Sequence, residues 1–122
     1  MTPELAPGLE AESAFTVDGP LLTDVGGTLA ASVLSTPGMI AMMERTAATL
    51  VFPHLPEGSA TVGFEVNVRH VAAAPAGAQC TAMARLTGIV DGRKLRFDVE
   101  VRDADGRTIG LGTHERRVVP TG

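Results

Sequence analysis

"STPGMIAMMERTAATLV", residues 35–51, decides the fold, because it reads as one long helix with a carboxylate set among apolar side chains. Its start carries two independent signals: Ser35 or Thr36 as a cap whose oxygen accepts from a free N–H, and Pro37 where a missing N–H costs nothing. Its end is equally marked, since Pro53 disfavours helical geometry at Phe52, and Pro56 and Gly58 complete the stop. The spacing predicts a helix over about 37–52. Ile40, Glu44, Ala47, Ala48 and Val51 fall three and four apart, so Glu44 is expected on the apolar face. A carboxylate buried there without a partner costs several kcal/mol, so it needs a way to the helix edge, an arginine, or a chemical task.

Nearly everything downstream reads as strand. In "TVGFEVNVRH" (61–70), Val62, Phe64, Val66 and Val68 alternate with Gly63, Glu65, Asn67 and Arg69, a half-buried pattern whose apolar parity His70 continues. "QCTAMARLTGIV" (79–90) resumes after the break "AAAPAGA", and Asp91-Gly92 signals a hairpin. Leu95, Phe97, Val99 and Val101 then alternate with charged residues, "DADGR" (103–107) turns the chain, and "TIGLGTHERRVV" (108–119) is the last strand. Upstream, "SAFTV" (13–17) is a short first strand, residues 1–12 read as a loose N-terminal arm, and "DGPLLTDVGGTLAAS" (18–32) as an irregular lead-in. One helix and an antiparallel meander predict an α+β domain over residues 1–122, with five or six strands wrapped around the helix. One helix cannot cover such a sheet fully, so a free edge is expected to pair with a second copy as a homodimer.

Composition narrows the function. The net charge of −4, with four Phe and no Trp or Tyr, favours neither nucleic acid nor an anionic membrane as partner. The single cysteine, Cys80, excludes an internal disulfide, and the chain start "MTPELAPGLEAES" has three acids and no basic residue, so a cytoplasmic location is expected. Three histidines in distant segments with one cysteine show no metal-ligand spacing, and no Gly-rich phosphate loop with its lysine is present.

At "STPGMIAMMERTA" (35–47), "RHVAAAPAG" (69–77) and "GLGTHERRVV" (110–119), the chain resembles hot-dog-fold thioesterases of the fluoroacetyl-CoA thioesterase type. The resemblance spans roughly residues 33–119. It implies a hot-dog fold, active sites at a dimer interface, and a catalytic set on Thr36, Glu44 and His70. It further implies substrate contacts at Gly63, through its backbone, and at Arg116, with an acyl-CoA as substrate and no metal or other cofactor. The segment "TDVGGTLAASVL" (23–34) departs from it, having no aromatic residue where the fluoroacetyl-specific type places phenylalanines over the acyl group.

Each residue also has a plainer reading. Thr36 could be only the helix cap, and His70 a hydrogen-bonded strand-end histidine; Arg116 in "HERR" reads slightly better as a solvated charge run at an edge strand. His114 is as ambiguous, His54 reads as loop, and Cys80 as packing. As catalysts, Glu44 would activate water or attack the thioester carbonyl, while His70 would take a proton from Thr36 or water and return it to the thiolate. The helix start would offer free N–H groups to the carbonyl oxygen. The expected activity is hydrolysis of a short-chain or small acyl-CoA. Two rivals are a non-catalytic acyl-CoA-binding dimer on the same fold and, more weakly, an enoyl-CoA hydratase.

Overall fold

The computed structural model describes residues 4–122. Five antiparallel strands form one sheet: β1 (Glu10–Thr16), β4 (Ser59–His70), β5 (Gln79–Val90), β6 (Lys94–Asp103) and β7 (Thr108–Pro120), in the order β1-β5-β6-β7-β4. Two short strands, β2 (Leu22–Thr23) and β3 (Val33–Leu34), pair in the lead-in to the helix α1 (Thr36–Val51). A 3-10 turn over Phe52–His54 and the Pro56-Glu57-Gly58 stretch then deliver the chain to β4.

Period 2 on the strands and period 3.6 on the helix build the core. Cys80, Ala82, Ala84 and Leu86 of β5 and Leu95, Phe97, Val99 and Val101 of β6 are buried, as are Met39, Met42, Met43, Ala47, Leu50 and Val51 of α1. Phe97 is the one fully buried aromatic ring among the described residues, with Phe15 packed against the cluster, so methionines fill much of the space between helix and sheet with flexible, unbranched side chains. At Gly110 of β7 the helix comes so close that a Cβ would collide with the Met39 thioether. Glycine at that point lets helix and sheet meet.

Four expectations need correction. The loose arm is shorter than residues 1–12, because Glu10, Ala11 and Glu12 pair with Arg85, Ala84 and Met83; residues 1–3 lie outside the described residues. Glu44 lies beside the apolar stripe and not within it, since the buried face centres on Met39, Met43 and Ala47. The strand carrying Arg116 is not an edge, because β4 closes over it.

The fourth concerns β4. A bulge falls between Gly63 and Glu65, whose partners Arg116 and Glu115 are adjacent, so Phe64 is the extra residue and the side-chain parity switches there. Thr61 and Gly63 before the bulge, and Val68 and His70 after it, therefore share the helix-facing side, and Val62 points away. Val62, Phe64 and Val66 are 49%, 59% and 37% exposed along an edge that, among the described residues, has no neighbour on its other side. The even alternation in the sequence conceals this, because Phe64 at the bulge looks like one more member of the apolar row.

Candidate active site

The helix start is capped by Ser35, whose Oγ accepts from the Gly38 N–H at 2.9 Å. Thr36 is thereby released from capping, and its hydroxyl lies 2.8 Å from Nδ1 of His70 at the end of β4. Most of the donors at the helix start are taken: Ser35 N–H bonds the Leu21 carbonyl, Gly38 N–H the Ser35 hydroxyl and Met39 N–H the Ser35 carbonyl, and Pro37 has none. The other ring nitrogen of His70, Nε2, is buried and has no hydrogen-bond partner among the described residues. A buried ring nitrogen left open costs stability unless something binds to it.

Two turns along α1, a second cluster forms around Glu44. Its Oε2 accepts from Nη1 of Arg116 at 3.3 Å, and its side chain is 38% exposed against 9% for that of Arg116. Arg116, expected in a solvated run, is fully engaged: Nε donates to the Thr61 hydroxyl at 2.8 Å, Nη2 to the Thr61 carbonyl at 3.0 Å, and Nη1 also to Nε2 of His114 at 3.2 Å. Burial draws the Arg116 pKa down and Glu44 opposes that, leaving a guanidinium charged throughout the working range. Gly63 completes the cluster, because a Cβ there would meet Glu44 Oε2, with Arg116 Nη1 only 3.6 Å away. The carboxylate occupies the space that glycine leaves open.

A Gly63→Ala substitution is therefore expected to push Glu44 out of its pairing. Turnover should fall roughly tenfold or more, for a loss of about 1 kcal/mol in stability. Parallel measurement of steady-state rate and Tm checks this; an unchanged rate would mean that the Glu44 position is unimportant.

The predicted residues thus assemble as two groups. Thr36 meets His70, and Glu44 meets Gly63 and Arg116, while the regular helix keeps the two groups roughly 12 Å apart along its axis. Thr61 and His114 were missed as partners of Arg116. The signal for Thr61 is its i, i+2 relation to Gly63; nothing in the sequence singles out His114 over any strand histidine. Outside the site, burial raises the pKa of Cys80, against a nucleophilic role. Among the described residues no group of three or more His, Cys, Asp or Glu could hold a metal ion, and no helix is long and apolar enough to cross a membrane.

The model of the fluoroacetyl-CoA-specific thioesterase family matches residues 20–122. The chain belongs to that family. It is a hot-dog thioester hydrolase. Among solved structures, that of the fluoroacetyl-CoA thioesterase FlK is similar at a TM-score of 0.87 and 28% identity, over 98% of this chain and 91% of that one. A Thermus thermophilus hypothetical protein of the thioesterase superfamily aligns at 0.86 and 27% identity, over 99% and 88% of the two chains. A hot-dog-like protein from Thermanaerovibrio acidaminovorans aligns at 0.83 and 25%, over 94% and 84%. No curated protein sequence matches the chain. The matched residues 20–122 include every residue of both clusters.

Proposed function

We propose that the protein is an acyl-CoA thioesterase acting on a short or small acyl group through Thr36, Glu44 and His70. The observation that carries this is the Thr36–His70 contact at 2.8 Å, with the threonine free of capping duty. His70 takes the proton of Thr36 as its hydroxyl attacks the thioester carbonyl, and returns it to the departing thiolate. Glu44, steadied by Arg116 through one oxygen, uses the other to take a proton from the water that attacks the Thr36 acyl ester, and that proton passes to the Thr36 oxygen as its bond to the acyl carbon breaks and the acid leaves. Acyl-CoA and water become free acid and CoA, and the scheme draws on no metal or redox cofactor. Variants of FlK hold acetyl-CoA, or fluoroacetate with CoA, which supports an acyl-CoA as ligand of this fold.

The two groups are too far apart in one chain to act on one carbonyl, so we place the working site between two copies in a cytoplasmic homodimer. Antiparallel pairing of β4 with its copy, about a twofold near the strand middle, runs the His70 end beside the Thr61–Gly63 end of the second strand. Thr36 and His70 would then face Glu44 of the partner subunit, and the exposed Val62, Phe64 and Val66 would be covered. Lysines at Val62 and Val66 are expected to convert a dimer to a monomer by light scattering and to abolish turnover with it. A monomeric wild type that is fully active would sink this arrangement.

Thiol release from acyl-CoAs of graded chain length, fluoroacetyl-CoA included, tests the activity itself. The segment 23–34 offers only aliphatic cover, with Leu29 and Val25 exposed, so discrimination for the fluorinated acyl group is expected to be weak. Binding of CoA esters without thiol release would favour the non-catalytic module.

A further inference from the structure

His114 lies outside the Thr/Glu/His set, yet it is buried to 3% exposure on β7 and held on three sides. Its ring stacks on Phe97 of β6, with centroids 5.9 Å apart and 27° between planes. Nδ1 is 2.7 Å from the backbone carbonyl of Glu65 on β4, and Nε2 is 3.2 Å from Nη1 of Arg116. The partners fix the protonation state. A carbonyl can only accept, so Nδ1 carries the proton, and an arginine can only donate, so Nε2 offers its lone pair. The ring is neutral.

We propose that His114 is a positioning residue: its Nε2 lone pair turns the Arg116 guanidinium so that Nη1 reaches Glu44, and the Glu65 carbonyl locks the tautomer that makes this possible. This rests on the thioesterase reading of Glu44. The relay runs from the β4 backbone at the bulge, through His114 and Arg116, to the carboxylate on α1. A second proton on the ring would set an N–H donor against an arginine donor and break the relay at its middle. The charged groups facing His114 are few: Arg116 beside it and Glu44 on α1, with Glu115 engaged by Arg96 and Arg117. Burial, aided by the Arg116 charge and opposed by the Glu65 carbonyl and the Glu44 carboxylate, pushes the ring below its ordinary value of 6.5, which favours the neutral form in the folded protein. The sign follows: between the lowered folded pKa and 6.5 the unfolded chain binds more protons, so this contribution to stability is complete above 6.5 and is lost as pH falls below it.

Asn and Gln separate the two hydrogen bonds. Asn can restore the donor to the Glu65 carbonyl but nothing for Arg116, whereas Gln carries an amide oxygen at about the reach of Nε2. His114→Asn is expected to lower kcat roughly ten- to hundredfold with little change in KM, and His114→Gln to recover most of it. The acid limb of the wild-type rate profile should weaken in His114→Gln, which has no proton to gain. By nitrogen-15 NMR, wild-type Nε2 should be unprotonated, and the slowed Arg116 guanidinium signals should persist in the Gln variant and average out in the Asn variant. Equal losses in both variants, a rate that only tracks Tm, or an Nε2–H tautomer would overturn the proposal. A wild type that releases no thiol from any acyl-CoA would instead sink the thioesterase reading, and the NMR contrast would still decide whether His114 orients Arg116.

Discussion

Replacing Glu44 by Gln is expected to cut thiol release by about a thousandfold, while Tm moves by no more than a few degrees. The amide keeps the volume of the carboxylate and an oxygen for Arg116 Nη1, so the cluster of Thr61, Gly63 and His114 has no reason to collapse. What disappears is the charge and the capacity to accept a proton. The cost in stability is modest because the Glu44 side chain is 38% exposed and its ion pair is partly screened. Arg116 keeps the Thr61 hydroxyl and carbonyl as acceptors. Turnover and thermal unfolding measured on one preparation check both halves. Unchanged turnover in a folded Gln variant would remove Glu44 from the mechanism and leave it as the partner of a buried arginine.

His70→Ala should lose a comparable factor, about a hundred- to a thousandfold, with the opposite signature in stability. Nε2 is buried without a partner among the described residues, so truncating the ring removes an unsatisfied polar atom along with the bond to Thr36. Those effects offset, and Tm is expected to stay level or rise slightly. A His70 held only for structure would behave otherwise, with stability and rate falling together. Thr36→Val offers the matching test: if hydroxyl and imidazole act as one unit, the double variant will be no slower than the worse single one. Additive losses would mean that the two side chains serve separate steps.

Much of the fold is legible because it rests on local rules. Ser35 and Pro37 start the helix by capping and by a missing N–H that costs nothing there, whereas Phe52 keeps helical geometry before Pro53 and the chain runs on as a 3-10 turn; the period-2 burial of Leu95, Phe97, Val99 and Val101 follows from the pleat. Candidate residues were legible only as types at intervals. Spacing could not tell that Ser35 takes the cap and frees Thr36, nor that Arg116 leaves a run of charges to sit beneath the helix, because strand order decides both the neighbour and the burial. The bulge at Phe64 is the sharpest case: one added residue reverses which side chains of β4 face the helix.

By itself, then, the sequence determined a single capped helix, the strands around it and the chemical types at 36, 44 and 70, since propensity, capping and periodicity act within a few residues along the chain. Only the tertiary structure decided which of those types meet. The partners of Glu44 and His70 come from segments 72 and 34 residues away. Such contacts depend on sheet order and register, and no local pattern encodes them.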